Sequence, residues 1–241
     1  MEYRLTARQK DGIPVPMSQP STTVAYGSVV LAAVLWGGSI VAQKMALGSF
    51  SAVEASVLRD IGGLAILLAT WWSKEGGALT ISRGDMGLLG LLGLGVLGNH
   101  LLIMMGLNYV SGAVGGVIIG ASPVVTSLLS ALLIRDVPLR AVWAGALLSF
   151  SGVGLVSVSG FQAAGEHPLL GSTLVFLGVV SWALYSIGSR AIMERVSALT
   201  VNWTTLLVAT VLQIPLLWTD HKVMNAGIGS VTTSDWLALG Y

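Results

Sequence analysis

Residues 86–134 read MGLLGLLGLGVLGNHLLIMMGLNYVSGAVGGVIIGASPVVTSLLSALLI, a run with no Asp, Glu, Lys or Arg in which only His100 brings a basic side chain. One membrane-spanning helix needs about 20 apolar residues, so this stretch is long enough for two. Asn108, Tyr109, Ser111 and Gly112 fall where the turn between them belongs. The stretch therefore reads as a helical hairpin, with span three over 86–105 and span four over 110–134. Backbone exposed to lipid must satisfy its hydrogen bonds internally, which leaves helices as the spanning structure.

Working outward, the same test marks Val24–Gln43, Val53–Trp72, Ala141–Gly160, Pro168–Ser189 and Ala198–Trp218 as spans. That makes seven, and Asp235–Tyr241 reads as the start of an eighth. The expected fold class is an all-α integral membrane protein. Composition agrees: 54% of residues are hydrophobic and 10% charged, against about a quarter charged in a soluble domain. A net charge of +1 leaves no basic face for nucleic acid. With no cysteine, disulfides, zinc ribbons and thiol nucleophiles are excluded. Residues 1–23, polar and bearing Pro14, Pro16 and Pro20, read as a disordered cytoplasmic tail. The apolar run after them is too long for a signal peptide and lacks a small-residue cleavage site.

Positive residues mark the cytoplasmic side. Alternate loops, on the side of the N-terminus, hold Arg4, Arg8, Lys10, Lys74, Arg83, Arg135, Arg140, Arg190 and Arg195, while the opposite loops hold Lys44 and Lys222. The bias places the N-terminus in the cytoplasm of a multi-pass protein of the cell membrane, the inner membrane in a bacterium. An internal repeat emerges at an offset of 146 residues: Trp36 falls on Trp182, Lys44 on Arg190, Ser51-Ala52 on Ser197-Ala198 and Trp72 on Trp218. Five spans separate equivalent points, and an odd number turns the second copy upside down, an inverted repeat as in many secondary transporters. The first five-helix repeat covers 24–160 and a truncated second covers 161–241. By the same offset the complete protein is expected to have about 300 residues and ten helices. Ser51 and Ser197 read as loop positions on opposite faces, Ser51 outside.

The motifs in chain order are Leu35-Trp36-Gly37-Gly38-Ser39 with Lys44, Leu58-Arg59, Ala121-Ser122-Pro123-Val124-Val125-Thr126, the charged turn Arg135-Asp136, and Ser181-Trp182-Ala183-Leu184-Tyr185-Ser186 with Ser189-Arg190. In this order, from about Val24 onward, the chain resembles the EamA-type ten-helix branch of the drug/metabolite transporter superfamily. The resemblance implies export or exchange of small metabolites, amino acids or drugs, and identifies no substrate.

Asn99-His100 is the sharpest pair. An ionisable ring deep in an apolar run is costly and faces a cavity or a partner, and histidine can take and release a proton near neutral pH. Arg59 lies about two turns into span two and has the same standing. Trp36 and Trp182 sit midway along their spans, away from the interfacial belts tryptophan prefers, with Tyr185 one turn from Trp182. Pro123 kinks span four and frees a carbonyl, next to Ser122. These eight residues are the substrate-pathway candidates, each set against plain helix packing. Gly112, Gly116 and Gly120 fall on one face and read as a packing seam. Gly93-x-Gly95-x-x-Gly98 spells a dinucleotide fingerprint but follows no strand; with Gly90 these glycines read as a close helix approach. Lys44 and Glu54 could meet across the turn after span one, and otherwise snorkel to headgroups.

No Walker loop, His-Glu-x-x-His or Gly-x-Ser-x-Gly occurs, so the expectation is no cofactor, no metal and no catalytic residue. The leading reading is a secondary transporter working by alternating access. A non-transporting scaffold and an intramembrane enzyme are the alternatives. The expected partners are the lipid bilayer and a small-molecule substrate; proton or ion coupling and a homodimer are the open options.

Overall fold

The computed structural model describes residues 6–8, 14–16, 22–77, 81–135, 142–145, 147–148, 151 and 167–241. The chain divides into two compact units, Met1–Gly38 and Ser39–Tyr241. In the first, the segment read as a disordered tail carries one element. β1 (Thr6–Arg8) pairs antiparallel with β2 (Pro14–Pro16) in the register Thr6↔Pro16, Ala7↔Val15 and Arg8↔Pro14. Pro14 and Pro16 have no N–H, so Val15 alone can donate from β2, and an isolated ribbon of this kind is marginal in water.

The helices are α1 (Thr22–Ala46), α2 (Ala52–Glu75), α3 (Arg83–Tyr109), α4 (Gly112–Gly120), α5 (Ser122–Ile134), α6 (Pro168–Met193), α7 (Ala198–Gln213), α8 (Val223–Ala226) and α9 (Thr233–Gly240). A 3-10 turn, Ile214–Trp218, continues α7. Among the described residues, five stretches are long and apolar enough to cross a membrane: Thr22–Ala46, Arg83–Tyr109, Gly112–Ile134, Pro168–Met193 and Ala198–Trp218. α2 has the length, but Glu54, Arg59 and Asp60 interrupt its first half, and it is not among the five. Of expected span five, only 142–145, 147–148 and 151 are described, and they are helical; the rest lies outside the described residues. Expected span four is two helices. Pro123 cannot donate to Ile119, and the freed carbonyl is taken by the Ser122 hydroxyl at 2.6 Å, so the break at Ala121 leaves no orphan there.

Serine caps begin four of these helices. Ser51, Ser82, Ser111 and Ser197 accept from the N–H three residues on, which satisfies one of the four donors a helix start leaves free. Ser51 and Ser197 are therefore caps rather than free loop positions. Ser51 is 1% exposed, and its hydroxyl also donates to the Asp220 carbonyl at 2.8 Å.

The centre of the second unit is the antiparallel pair α3–α6. A Cβ on Gly106 would stand 2.6 Å from Val175 Cγ2 and 2.7 Å from the Gly171 carbonyl oxygen. One on Gly178 would meet Ile103 Cγ1 at 2.8 Å, and one on Gly98 the Ser181 hydroxyl at 2.7 Å. Removing Cβ lets the two backbones touch, which is how helices associate in lipid, where the hydrophobic effect supplies no drive. Gly93 does the same for α7, with Val208 Cβ at 2.6 Å from its ideal Cβ. The expected seam of Gly112, Gly116 and Gly120 differs in detail. The tight contact falls on Gly115, where a Cβ would collide with Leu107 Cδ2, whereas a Cβ on Gly116 or Gly90 meets no described atom within 4 Å.

Two apolar clusters flank the seam. Near one end, Phe50, Met104, Leu107, Val110, Val175 and Val179 pack together; near the other, Leu89, Leu92, Val96, Ile192, Val201 and Leu206. The outward surface is apolar as well, with Ile66, Leu91, Leu132 and Leu169 each at least 65% exposed, as a lipid-facing belt requires.

Gly106→Ala is expected to lower stability in detergent by about 1–3 kcal/mol, because the obstructing atoms include backbone. Gly90→Ala, in the same helix with open space, should be neutral or stabilising by up to about 1 kcal/mol. Thermal or denaturant unfolding of the two variants against the parent checks the contrast.

Candidate functional site

α2, α3 and α7 bring three polar side chains together within the apolar interior. Asp60, 4% exposed, and Gln213, 0% exposed, meet through Gln213 Nε2, which donates to Asp60 Oδ2 at 2.8 Å. The other carboxylate oxygen, Oδ1, lies 2.7 Å from His100 Nδ1. Both carboxylate oxygens are thus engaged, which is what a buried acid requires. The His100 side chain is 32% exposed against 5% for Asp60, so the ring links a buried anion to a more open space. Gln213 stays in place because its amide also donates to the Ala209 carbonyl at 3.2 Å, at the point where Pro215 turns α7 into a 3-10 helix.

A neutral imidazole protonated on Nδ1 and an imidazolium can both donate to Asp60. Around it, Gln213 Oε1, Ser56 Oγ and Arg59 Nη1 are buried with no hydrogen-bond partner among the described residues. Unsatisfied polar atoms inside an apolar bundle are expensive; Trp71 Nε1, Ser130 Oγ and Trp203 Nε1 are in the same state among the described residues.

The other candidates divide. Asn99 Nδ2 donates to the Gly178 carbonyl at 3.0 Å, tying α3 to α6, and Ser122 holds the carbonyl Pro123 frees; both side chains are committed to structure. Trp182 and Tyr185 pack with ring centroids 5.2 Å apart and planes tilted by 37°, and Tyr185 donates its hydroxyl to Asn202 Oδ1 at 2.9 Å. Trp36 is 54% exposed. Asp60 as the partner of His100 escaped the sequence reading. Its signal was an acid in span two at a depth matching that of His100.

Glu54 is 4% exposed, not an interfacial side chain snorkelling to headgroups. Its carboxylate accepts from Ser51 N at 2.9 Å, Lys222 N at 3.0 Å and Val223 N at 2.9 Å, so it caps α2 and α8 together. Lys44 Nζ donates to the Leu107 carbonyl, one of the acceptors left free in the last turn of α3.

Gln213→Leu would strand Asp60 Oδ2 and is expected to lower stability by about 1–3 kcal/mol. Unfolding measured alongside the double variant Gln213→Leu with Asp60→Leu checks the assignment. The double variant should recover part of the loss, because it also removes the buried carboxylate.

Residues 23–158 and 169–241 match the EamA-like transporter family. The chain is 23% identical over 215 residues to the uncharacterized transporter YetK of Bacillus subtilis, covering 88% of this chain and 64% of that protein. It is 25% identical over 212 residues to the uncharacterized transporter YyaM of the same organism, covering 86% and 68%. A protein of Streptantibioticus cattleyicolor described as a probable terminal-alkyne amino-acid exporter is 23% identical over 221 residues, covering 89% and 71%. The chain thus spans just under two thirds of the length of YetK. A solved crystal structure, described only as a protein, superposes with a TM-score of 0.57 at 22% identity, covering 87% of this chain and 74% of that one, and shares the fold. The match covers most of the chain, and with its apolar helices the protein is a multi-pass membrane member of the EamA-like transporter family, within the drug/metabolite transporter superfamily.

Proposed function

We propose that the protein is a secondary transporter, working by alternating access between two inverted halves, that couples movement of a small metabolite to protonation of the His100–Asp60 pair. The observation that carries this is the 2.7 Å contact between a carboxylate 4% exposed and an imidazole that reaches open space. Through Gln213 the cluster joins the first family-matched segment to the second. Intramembrane ionisable residues mark ion or substrate pathways, and inverted-repeat transporters place theirs between the halves.

Several features support the inverted arrangement. Ser51 and Ser197, 146 residues apart, cap α2 and α7 alike, and each follows a buried apolar residue, Phe50 or Val196. The charge bias supports a cytoplasmic N-terminus in the cell membrane. The named exporter among the relatives makes an amino acid the first substrate to try, and Arg59 Nη1 offers a free donor for its carboxylate.

His100→Gln keeps a donor for Asp60 but cannot titrate. In cells or proteoliposomes it should retain flux while flattening its dependence on pH across about 5 to 8, the range that brackets a free imidazole. An unchanged pH profile in that variant would remove His100 from the coupling mechanism.

A further inference from the structure

Two sets of contacts, one at each end of the bundle, are related by the same offset as the sequence repeat. At one end Asp85, third residue of α3, accepts from Arg195 Nε at 2.9 Å and Nη2 at 2.8 Å. Arg195 stands two residues before the α7 cap Ser197. At the other end Asp235, third residue of α9, accepts from the Ser49 hydroxyl at 2.8 Å, and Ser49 stands two residues before the α2 cap Ser51. Ser49 and Arg195 are 146 residues apart. Asp85 and Asp235 differ by 150, the connection that holds α8 being four residues longer than its counterpart. Each Asp also accepts from its own cap hydroxyl, Ser82 at 2.7 Å and Thr232 at 2.6 Å.

A second pair repeats the pattern. The third residues of α2 and α7 are Glu54 and Thr200, again 146 apart. Thr200 donates to Glu75 Oε2, at the end of α2, at 3.0 Å. Glu54 accepts from the backbone of Lys222 and Val223, just beyond α7 and its 3-10 extension. Every one of these contacts joins residues of the first family-matched segment to residues of the second.

We infer that Asp85–Arg195 with Glu75–Thr200, and Ser49–Asp235 with Glu54–Lys222–Val223, are the two gates of the transport cycle, equivalent latches that open in turn. This rests on the alternating-access reading above. The chemistry suits it: the partly exposed Asp pairs are individually weak, so they can break in every cycle, and buried Glu54 keeps the Ser51 N–H when Lys222 and Val223 leave. Each Asp stays hydrogen-bonded to its own cap when its partner leaves, so opening strands no charge. The latches are unequal, ion pair against neutral hydroxyl, which biases closure toward the Arg195 end.

The test uses the absence of cysteine. Asp85→Cys with Arg195→Cys, and Ser49→Cys with Asp235→Cys, are each crosslinked by a short thiol-specific reagent in protein reconstituted into bilayers. Hydrogen exchange is then followed at both ends, a readout independent of flux. Closing one latch should shift the population toward states open at the other end, raising exchange at 49–54 and 219–235 in the first variant and at 82–85 and 194–200 in the second. Either crosslink should abolish flux, and reduction of a cleavable reagent should restore it. Should the cysteine pairs disturb folding, Arg195→Ala and Ser49→Ala remove the latches with both caps intact, and each should raise exchange at its own end and lower it at the other. Flux that survives either crosslink, or exchange at the far end that does not respond, overturns the inference. Parent protein that carries no tested metabolite would instead count against the transporter reading, while the exchange data still decide whether the ends are coupled.

Discussion

The fold depends on the contact of α3 with α6, backbone against backbone. In water an amphipathic helix is driven to its partner by apolar burial; in lipid that drive is missing, and association rests on fit and on polar pairs. Gly98, Gly106, Gly171 and Gly178 supply the fit by presenting no Cβ where the helices cross, and Asn99 adds a hydrogen bond to the Gly178 carbonyl. Because α3 and α6 belong to different family-matched segments, this seam holds the segments together.

Once the seam is set, the polar groups follow from the cost of leaving them alone in an apolar medium. Pro123 frees a carbonyl and Ser122 takes it. Glu54 is buried and receives backbone donors from two helix starts. Asp60 receives Gln213 and His100. Against that thoroughness, the free atoms on Gln213, Ser56 and Arg59 stand apart. Ser56 and Arg59 share α2 with Asp60, and Gln213 touches that carboxylate from α7.

The helices were legible because an uncharged run such as 86–134 has no other stable form in lipid, and the glycines at 93, 95 and 98 correctly marked a close approach. Boundaries were legible where caps are local: Ser111 and Ser197 sit where turns were expected. The Asp60–His100 pairing was not legible, since nothing in one sequence says which of two faces of α2 meets α3, and Arg59 beside it drew the attention. Glu54 reads as an interfacial charge until the return of the chain at Lys222 is seen, a contact between residues 168 positions apart. The choice of Gly115 over Gly116 likewise turns on where Leu107 lands, a matter of packing rather than of spacing.

The central claim is that the two halves are inverted copies, and Gly48 and Glu194 test it most directly. They are equivalent under the offset of 146, both are exposed, and Glu194 closes α6 through its backbone N–H rather than its side chain. A side chain at Gly48 meets only the Met45 carbonyl, at 3.1 Å. Gly48→Cys and Glu194→Cys each introduce the sole thiol of the chain. A membrane-impermeant maleimide applied to intact cells should label Gly48→Cys directly and Glu194→Cys only after permeabilisation. Labelling of both from the same side would contradict the inverted repeat, and with it the two-gate mechanism.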